Sequence, residues 1–173
     1  MLRIGPLLLF GFAALASAAE NHALALSAGA TYRYTRTARE ITDETPGFSW
    51  TEDYGYHARL STPAEAGTGA FDLDWARNRG NGDRIDTLGV LYVQRIPLGS
   101  FRLGVGLGSF YNDLSIADSR HTRWTIGCTA LVSKDLVGPL YLEAGYDLTS
   151  LVGGQETGGI RTDCVFLDLG IRF

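Results

Sequence analysis

Apolar and polar residues alternate one by one along most of the chain beyond residue 23, the period expected of a β-strand with two unlike faces. In the first segment Leu24, Leu26, Ala28, Ala30, Tyr32 and Tyr34 share one face, and Ala25, Ser27, Gly29, Thr31, Arg33 and Thr35 the other. A helix would mix these sets; a strand separates them. The last segment is cleaner still. Val165, Leu167, Leu169, Ile171 and Phe173 face one way, against Phe166, Asp168, Gly170 and Arg172.

Six further segments alternate between these ends. The second strand sets Trp50, Tyr54, Tyr56, Ala58 and Leu60 against Thr51, Asp53, Gly55, His57 and Arg59. The third sets Phe71, Leu73 and Trp75 against Asp72, Asp74 and Ala76. In the fourth, Leu88, Val90 and Tyr92 compete with Leu91 and Val93 for the apolar face, so its register stays open. The fifth sets Phe101, Leu103, Val105, Leu107 and Tyr111 against Arg102, Gly104, Gly106, Gly108 and Phe110. The sixth sets Trp124, Ile126, Cys128, Ala130 and Val132 against Arg123, Thr125, Gly127 and Thr129. The seventh sets Leu140, Leu142, Ala144, Tyr146 and Leu148 against Tyr141, Glu143, Gly145, Asp147 and Thr149. Eight is an even count, as a bacterial single-chain membrane barrel requires. The predicted fold is all-β, an eight-stranded antiparallel transmembrane up-and-down barrel.

The composition of the two faces decides which one meets solvent. A soluble barrel turns its apolar face inward. Here the polar face combines glycines with charges of both signs, a pattern suited to fitting long side chains into a narrow lumen. The apolar face carries Tyr34, Trp50, Tyr54, Trp75, Tyr111, Trp124 and Tyr146 toward one rim and Phe71, Phe101 and Phe173 toward the other, like the aromatic girdles of lipid-facing strands. The barrel therefore reads inside out, with a lipocalin-like secreted barrel as the alternative. The lumen would hold Arg33, Arg59, Arg95, Arg102, Arg123 and Arg172 against Asp53, Asp72, Asp74, Glu143, Asp147 and Asp168. Eight strands leave an interior just wide enough for side chains, so these charges are expected to form an ion-paired plug rather than a conducting path.

The connections alternate in length. Residues 62–68, 97–100 and 134–139 read as short turns, and 37–48, 78–83, 112–121 and 152–163 as mostly longer polar loops, the periplasmic and external sides of a barrel. Arg36, Arg39, Arg79, Arg84, Arg120 and Arg161 fall on the external side. They are candidate donors to lipopolysaccharide phosphates, since guanidinium binds phosphate as a two-pronged donor. Glu40, Asp43, Glu44, Asp83, Asp113, Asp118, Glu156 and Asp163 share those loops, so the rim as a whole is not net basic.

Ahead of the strands stands a leader: Met1-Leu2-Arg3, an apolar run over 4–14, then Ala16-Ser17-Ala18. Such a short apolar run does not span a bilayer as a helix, which needs about 20 residues. It reads as a signal peptide cleaved after Ala18, plus or minus one residue, leaving 19–173 as the barrel domain. Loss of Arg3 takes the formal charge from −4 to −5, which argues against a nucleic-acid partner. Lys134 is the only lysine. The remaining cations are arginines, which suit fixed pairing with carboxylates.

The leader, the eight alternating strands and the closing Leu167-Asp168-Leu169-Gly170-Ile171-Arg172-Phe173 resemble the small bacterial outer-membrane barrels typified by the OmpA transmembrane domain and OmpX. The resemblance is architectural and covers the chain beyond the leader, without identifying a subfamily. It implies residence in the cell outer membrane, contact with its lipid and lipopolysaccharide, and a monomer. It also implies that Phe173 is the assembly signal read by the barrel-assembly machinery.

Candidate chemistry is sparse. Small barrels that act as lipid A deacylases carry His-x-Ser-Asn on a late strand, where this chain has Tyr146-Asp147-Leu148-Thr149. The palmitoyltransferases of this size use His, Asp and Ser near the outer rim. His121 with Ser119 and Asp118 is the best counterpart, but a nucleophile needs an oriented base and a third group, which a polar loop does not provide. His57 reads as a hydrogen-bonded lumen residue and His22 carries no motif. Three scattered histidines and two distant cysteines do not make a zinc site, so no metal and no cofactor are expected. Gly104-Val105-Gly106-Leu107-Gly108 lies within a strand, not between a strand and a helix, and is no dinucleotide loop. Cys128 and Cys164 sit on opposite faces of alternate strands, about 9.6 Å apart at 4.8 Å per strand, beyond the roughly 7 Å reach of a disulfide. The reading is a non-enzymatic envelope protein with possible surface interactions through its loops. A narrow ion channel and a lipid A-modifying enzyme are the alternatives.

Overall fold

The structure, a computed structural model, describes residues 24–38, 48–63, 69–80, 83–116, 119–152 and 161–173. The leader, the domain boundary placed beside it and Arg39 lie outside the described residues. Eight strands run in chain order: β1 (Ala25–Ala38), β2 (Phe48–Pro63), β3 (Gly69–Gly80), β4 (Asp83–Leu98), β5 (Phe101–Ile116), β6 (Ser119–Asp135), β7 (Leu140–Val152) and β8 (Arg161–Arg172). Each pairs antiparallel with its neighbours in sequence, and β8 returns to β1 to close a barrel. The closing seam runs from Ala25 opposite Arg172 to Arg36 opposite Arg161.

Alternation sets the faces as the sequence predicts. On β8, Val165, Leu167 and Leu169 are exposed on the outside, while Cys164, Phe166 and Asp168 are buried inside.

 The same holds on β5, where Leu103, Val105 and Leu107 point out while Phe110 and Leu114 point in. The open register of β4 resolves by packing: Ile85, Leu91 and Val93 are buried in the lumen, and Tyr92 and Ile96 lie outside.

Two expectations are corrected. Residues 78–83 and 112–121 are mostly strand rather than loop, because β3, β4, β5 and β6 run on to Gly80, from Asp83, to Ile116 and from Ser119. Their polar residues misled because Asn78 and Asn112 are fully buried inside the barrel, not solvated in loops. Arg79, Arg84 and Arg120 therefore sit on strand ends, and Arg36 and Arg161 fall within β1 and β8. The strands are 12 to 17 residues long, more than the about 9–11 that a strand needs to cross a bilayer.

The lumen has two unlike sides. Leu91, Val93, Phe110, Leu131 and Phe166 form a buried apolar cluster drawn mainly from β4, β5 and β6. Glycine makes room for it: a Cβ at Gly89 would lie 2.8 Å from the Phe110 ring, closer than side-chain atoms pack. Charged and hydroxyl side chains of β1, β2, β3, β7 and β8 fill the other side. Cys128 and Cys164 are both free thiols.

Candidate functional site in the charged side of the lumen

Arg59 of β2 is the hub, and it is 1% exposed. Its Nη2 lies 2.6 Å from Asp74 Oδ2 and 3.5 Å from Asp147 Oδ1, its Nη1 3.1 Å from Glu143 Oε1, and its Nε 3.8 Å from Asp72 Oδ2. Asp72 and Asp74 come from the adjacent β3, whereas Glu143 and Asp147 come from β7, across the lumen. The guanidinium also lies over the Phe166 ring, 4.5 Å from its centroid, where the ring's negative face favours a cation. Arg95 grips Asp72 with both terminal nitrogens, at 3.3 and 2.8 Å, and approaches Glu143 Oε2 at 3.7 Å.

His57 stands beside this hub. Its Nδ1 is 2.6 Å from Asp168 Oδ2, and its Nε2 is 2.6 Å from Asp74 Oδ1. The ring stacks on Phe166 with centroids 4.3 Å apart. Asp168 also accepts a hydrogen bond from Ser27 Oγ at 3.0 Å. The sheet explains how β2 reaches β8: Gly29 of β1 pairs with both His57 and Asp168 in one row. A Cβ there would lie 2.7 Å from Asp168 Oδ1, so only glycine leaves the path between them open. His57, Asp74 and Asp147 each present one atom able to bind a metal, all within 4.8 Å of one another.

Toward the end bearing the β3–β4 and β5–β6 connections, asparagines and threonines join the charged groups of the lumen. Arg33 Nε donates to Asn78 Oδ1 at 2.9 Å, and Asn78 donates to Thr31 at 2.8 Å. Thr87, Asn112 and Thr125 form a second chain, with links of 2.9 and 3.1 Å. Arg123 and Asp53 are buried in the same interior.

Of the predicted luminal residues, the structure thus gathers Arg59, Arg95, Asp72, Asp74, Glu143, Asp147 and Asp168 into one network. Arg102 and Arg172 do not join it. Both pair instead with Asp135, at 3.0 and 2.6 Å, on the rim nearest the chain's C-terminus. Asp135 escaped notice because its segment reads as a turn, although β6 runs through it. The apolar cluster was also missed, since its members are scattered among strands whose polar neighbours set the reading. His121 is exposed at the opposite end, and Asp118 lies outside the described residues.

A further group faces outward at that end. Arg77 donates to both oxygens of Asp86, at 2.6 and 3.2 Å, and Arg84 Nε approaches the same carboxylate at 3.2 Å. Arg120 grips Asp113 at 2.9 and 2.6 Å. Arg79 is exposed on the same face of β3.

A closed eight-stranded antiparallel barrel with a charged, packed lumen and an apolar outside has the architecture of the small outer-membrane barrels. Solved structures bear this out at the level of the fold. Neisserial surface protein A (NspA) is 14% identical with a TM-score of 0.58, over 88% of this chain and 98% of that one. Ail, the attachment invasion locus protein of Yersinia pestis, is 14% identical with a TM-score of 0.59, over 88% and 99%. The N-terminal barrel domain of Pseudomonas aeruginosa OprF is 11% identical with a TM-score of 0.56, over 88% and 98%. No protein-family model and no curated protein sequence matches the chain.

Proposed function

We propose that the protein is a non-enzymatic outer-membrane barrel, exported behind a cleaved leader, that contributes to envelope integrity. The observation carrying this reading is the inversion of the barrel's faces. Arg33, Arg59, Asp72 and Asp168 are at most 1% exposed, while Val105 is 61% and Leu107 65% exposed. Water rewards the opposite arrangement, whereas lipid requires a closed sheet with an apolar outside. Fractionated cells are expected to hold the protein in the outer membrane, with a gel band that shifts on heating. Folded protein recovered from the periplasm without detergent would overturn the reading.

A closed lumen accompanies it. Phe110, Phe166 and the Arg59 network fill the interior from opposite sides, so planar bilayers are expected to show no steady conductance; a steady current would favour the channel alternative. Two observations support the absence of catalysis. Ser27 and His57 both bond to Asp168, so the histidine does not stand between hydroxyl and carboxylate as a nucleophile's base must. His121 is exposed, with Leu114 as its strand partner on β5.

The outward arginines favour lipopolysaccharide as a partner. Arg77, Arg79, Arg84 and Arg120 share one outer edge with Asp86 and Asp113, above Trp75, Tyr111 and Trp124. That places an excess of guanidinium where lipid headgroups begin, ready for phosphate. Lipopolysaccharide is expected to raise the unfolding midpoint of purified protein more than its dephosphorylated form does, and Arg77→Ala with Arg84→Ala should erase the difference. Equal shifts with both lipids would remove phosphate from the proposal.

A further inference from the structure

The luminal cluster of His57, Asp74 and Asp147 carries a further function. We propose that these three side chains bind one divalent transition-metal ion, of the kind typified by Zn2+, as a structural centre of the barrel.

Three observations combine. The first is arrangement: one imidazole and two carboxylates, all buried, converge with donor atoms within 4.8 Å of one another. Imidazole with carboxylate is a donor set that suits zinc and its neighbours. The second is the state of the imidazole. Its Nδ1 is held by Asp168 at 2.6 Å, which leaves Nε2 directed at the cluster. Nε2 lies 2.6 Å from Asp74 Oδ1, inside the cluster. A histidine oriented by a carboxylate on one nitrogen, with the other turned to the site, is the usual support of a metal-binding histidine. Asp74 is supported likewise, its second oxygen held by Arg59 at 2.6 Å.

The third is charge. Away from the rim, where Arg102 and Arg172 share Asp135, the described interior buries Asp53, Asp72, Asp74, Glu143, Asp147 and Asp168 with Arg33, Arg59 and Arg123 and the largely buried Arg95. Six carboxylates against four guanidiniums leave an excess of two negative charges when the imidazole is neutral. An uncompensated charge in so confined a space is strongly unfavourable. One divalent ion bound through neutral His57 removes the whole excess. The competing solution is two extra protons in the same cluster, and the experiment separates the two.

Because the cluster is buried, the ion would enter as the strands close. The full chain beyond the leader is therefore refolded from urea into detergent with Zn2+ or with a chelator, then washed with chelator and analysed for metal. The expected result is one zinc retained per folded chain and a higher unfolding midpoint than in the chelator-refolded protein. Asp147→Asn removes a ligand at nearly constant volume and should fold while losing the bound zinc. Asp168→Asn, which meets the cluster only through the histidine, should weaken zinc retention by roughly 10–100-fold. The proposal is overturned if zinc-refolded wild type keeps no stoichiometric metal. It is equally overturned if Asp147→Asn and Asp168→Asn retain as much zinc as wild type, which would place the ion elsewhere. Absence of folding in Asp147→Asn leaves the wild-type metal content and the Asp168→Asn comparison to decide.

Discussion

Arg59→Leu is expected to abolish refolding of the barrel, or to lower its unfolding midpoint further than any other single change in the lumen. Leucine fills much of the space but leaves Asp74, Glu143 and Asp147 without the cation that lies within 2.6 to 3.5 Å of them. Breaking a buried ion pair by removing one partner typically costs about 3–5 kcal/mol, and here one guanidinium serves several carboxylates. Arg59→Lys keeps the charge without the planar fork and should fall between the two. Removing the stranded charges as well, with Asp74→Asn and Glu143→Gln in the Arg59→Leu background, should restore part of the loss. Urea titration in detergent micelles, read by the heat-shifted gel band, measures each variant. A wild-type midpoint for Arg59→Leu would show that the network does not hold the barrel together.

Deletion of Phe173 is expected to act at a different stage. The residue is 68% exposed on the outer face, and its backbone N–H donates to Leu24 O at 2.7 Å, one bond beyond the paired part of the closing seam. Its loss removes apolar surface from the lipid boundary, at most about 1.5–3 kcal/mol for a fully buried side chain and less for one at an interface. The finished barrel should tolerate that. If the terminal aromatic is what the assembly machinery reads, the amount inserted in cells should fall about tenfold, a factor equivalent to 1.4 kcal/mol in an equilibrium. Refolding in vitro should stay near normal. Phe166→Leu, on the luminal face of the same strand, is the control, and should weaken the barrel in vitro instead. Unchanged cellular insertion without Phe173 would mean that the last residue is not read.

The fold was legible because alternation is a local property. Each of β2, β5 and β8 carries enough consecutive in–out pairs to fix its faces without knowledge of its neighbours. β4 was not legible for a physical reason: Leu91 and Val93 are as apolar as Leu88 and Val90, and only packing against Phe110 and Leu131 distinguishes them. Strand ends failed for a related reason, since Asn78 and Asn112 are polar residues that face a polar interior. The membership of the lumen could be read, but its pairing could not. Arg59 meets Glu143 across 84 positions of sequence, and His57 meets Asp168 across 111. Such partners are chosen by closure and register, which no single segment contains.

The division of the two faces also bears on the order in which the barrel forms. Every strand pairing except one joins sequence neighbours, so seven hairpin contacts can form before β8 meets β1. Until that meeting, the chain is an open amphipathic sheet, apolar on one side and charged on the other. Such a sheet can lie at a membrane surface with its charged side still wet. Arg59 and His57 then need not lose their water before Glu143, Asp147 and Asp168 arrive from β7 and β8. Dehydration and ion pairing happen together at the seam, so a half-closed barrel never has to bury a lone charge.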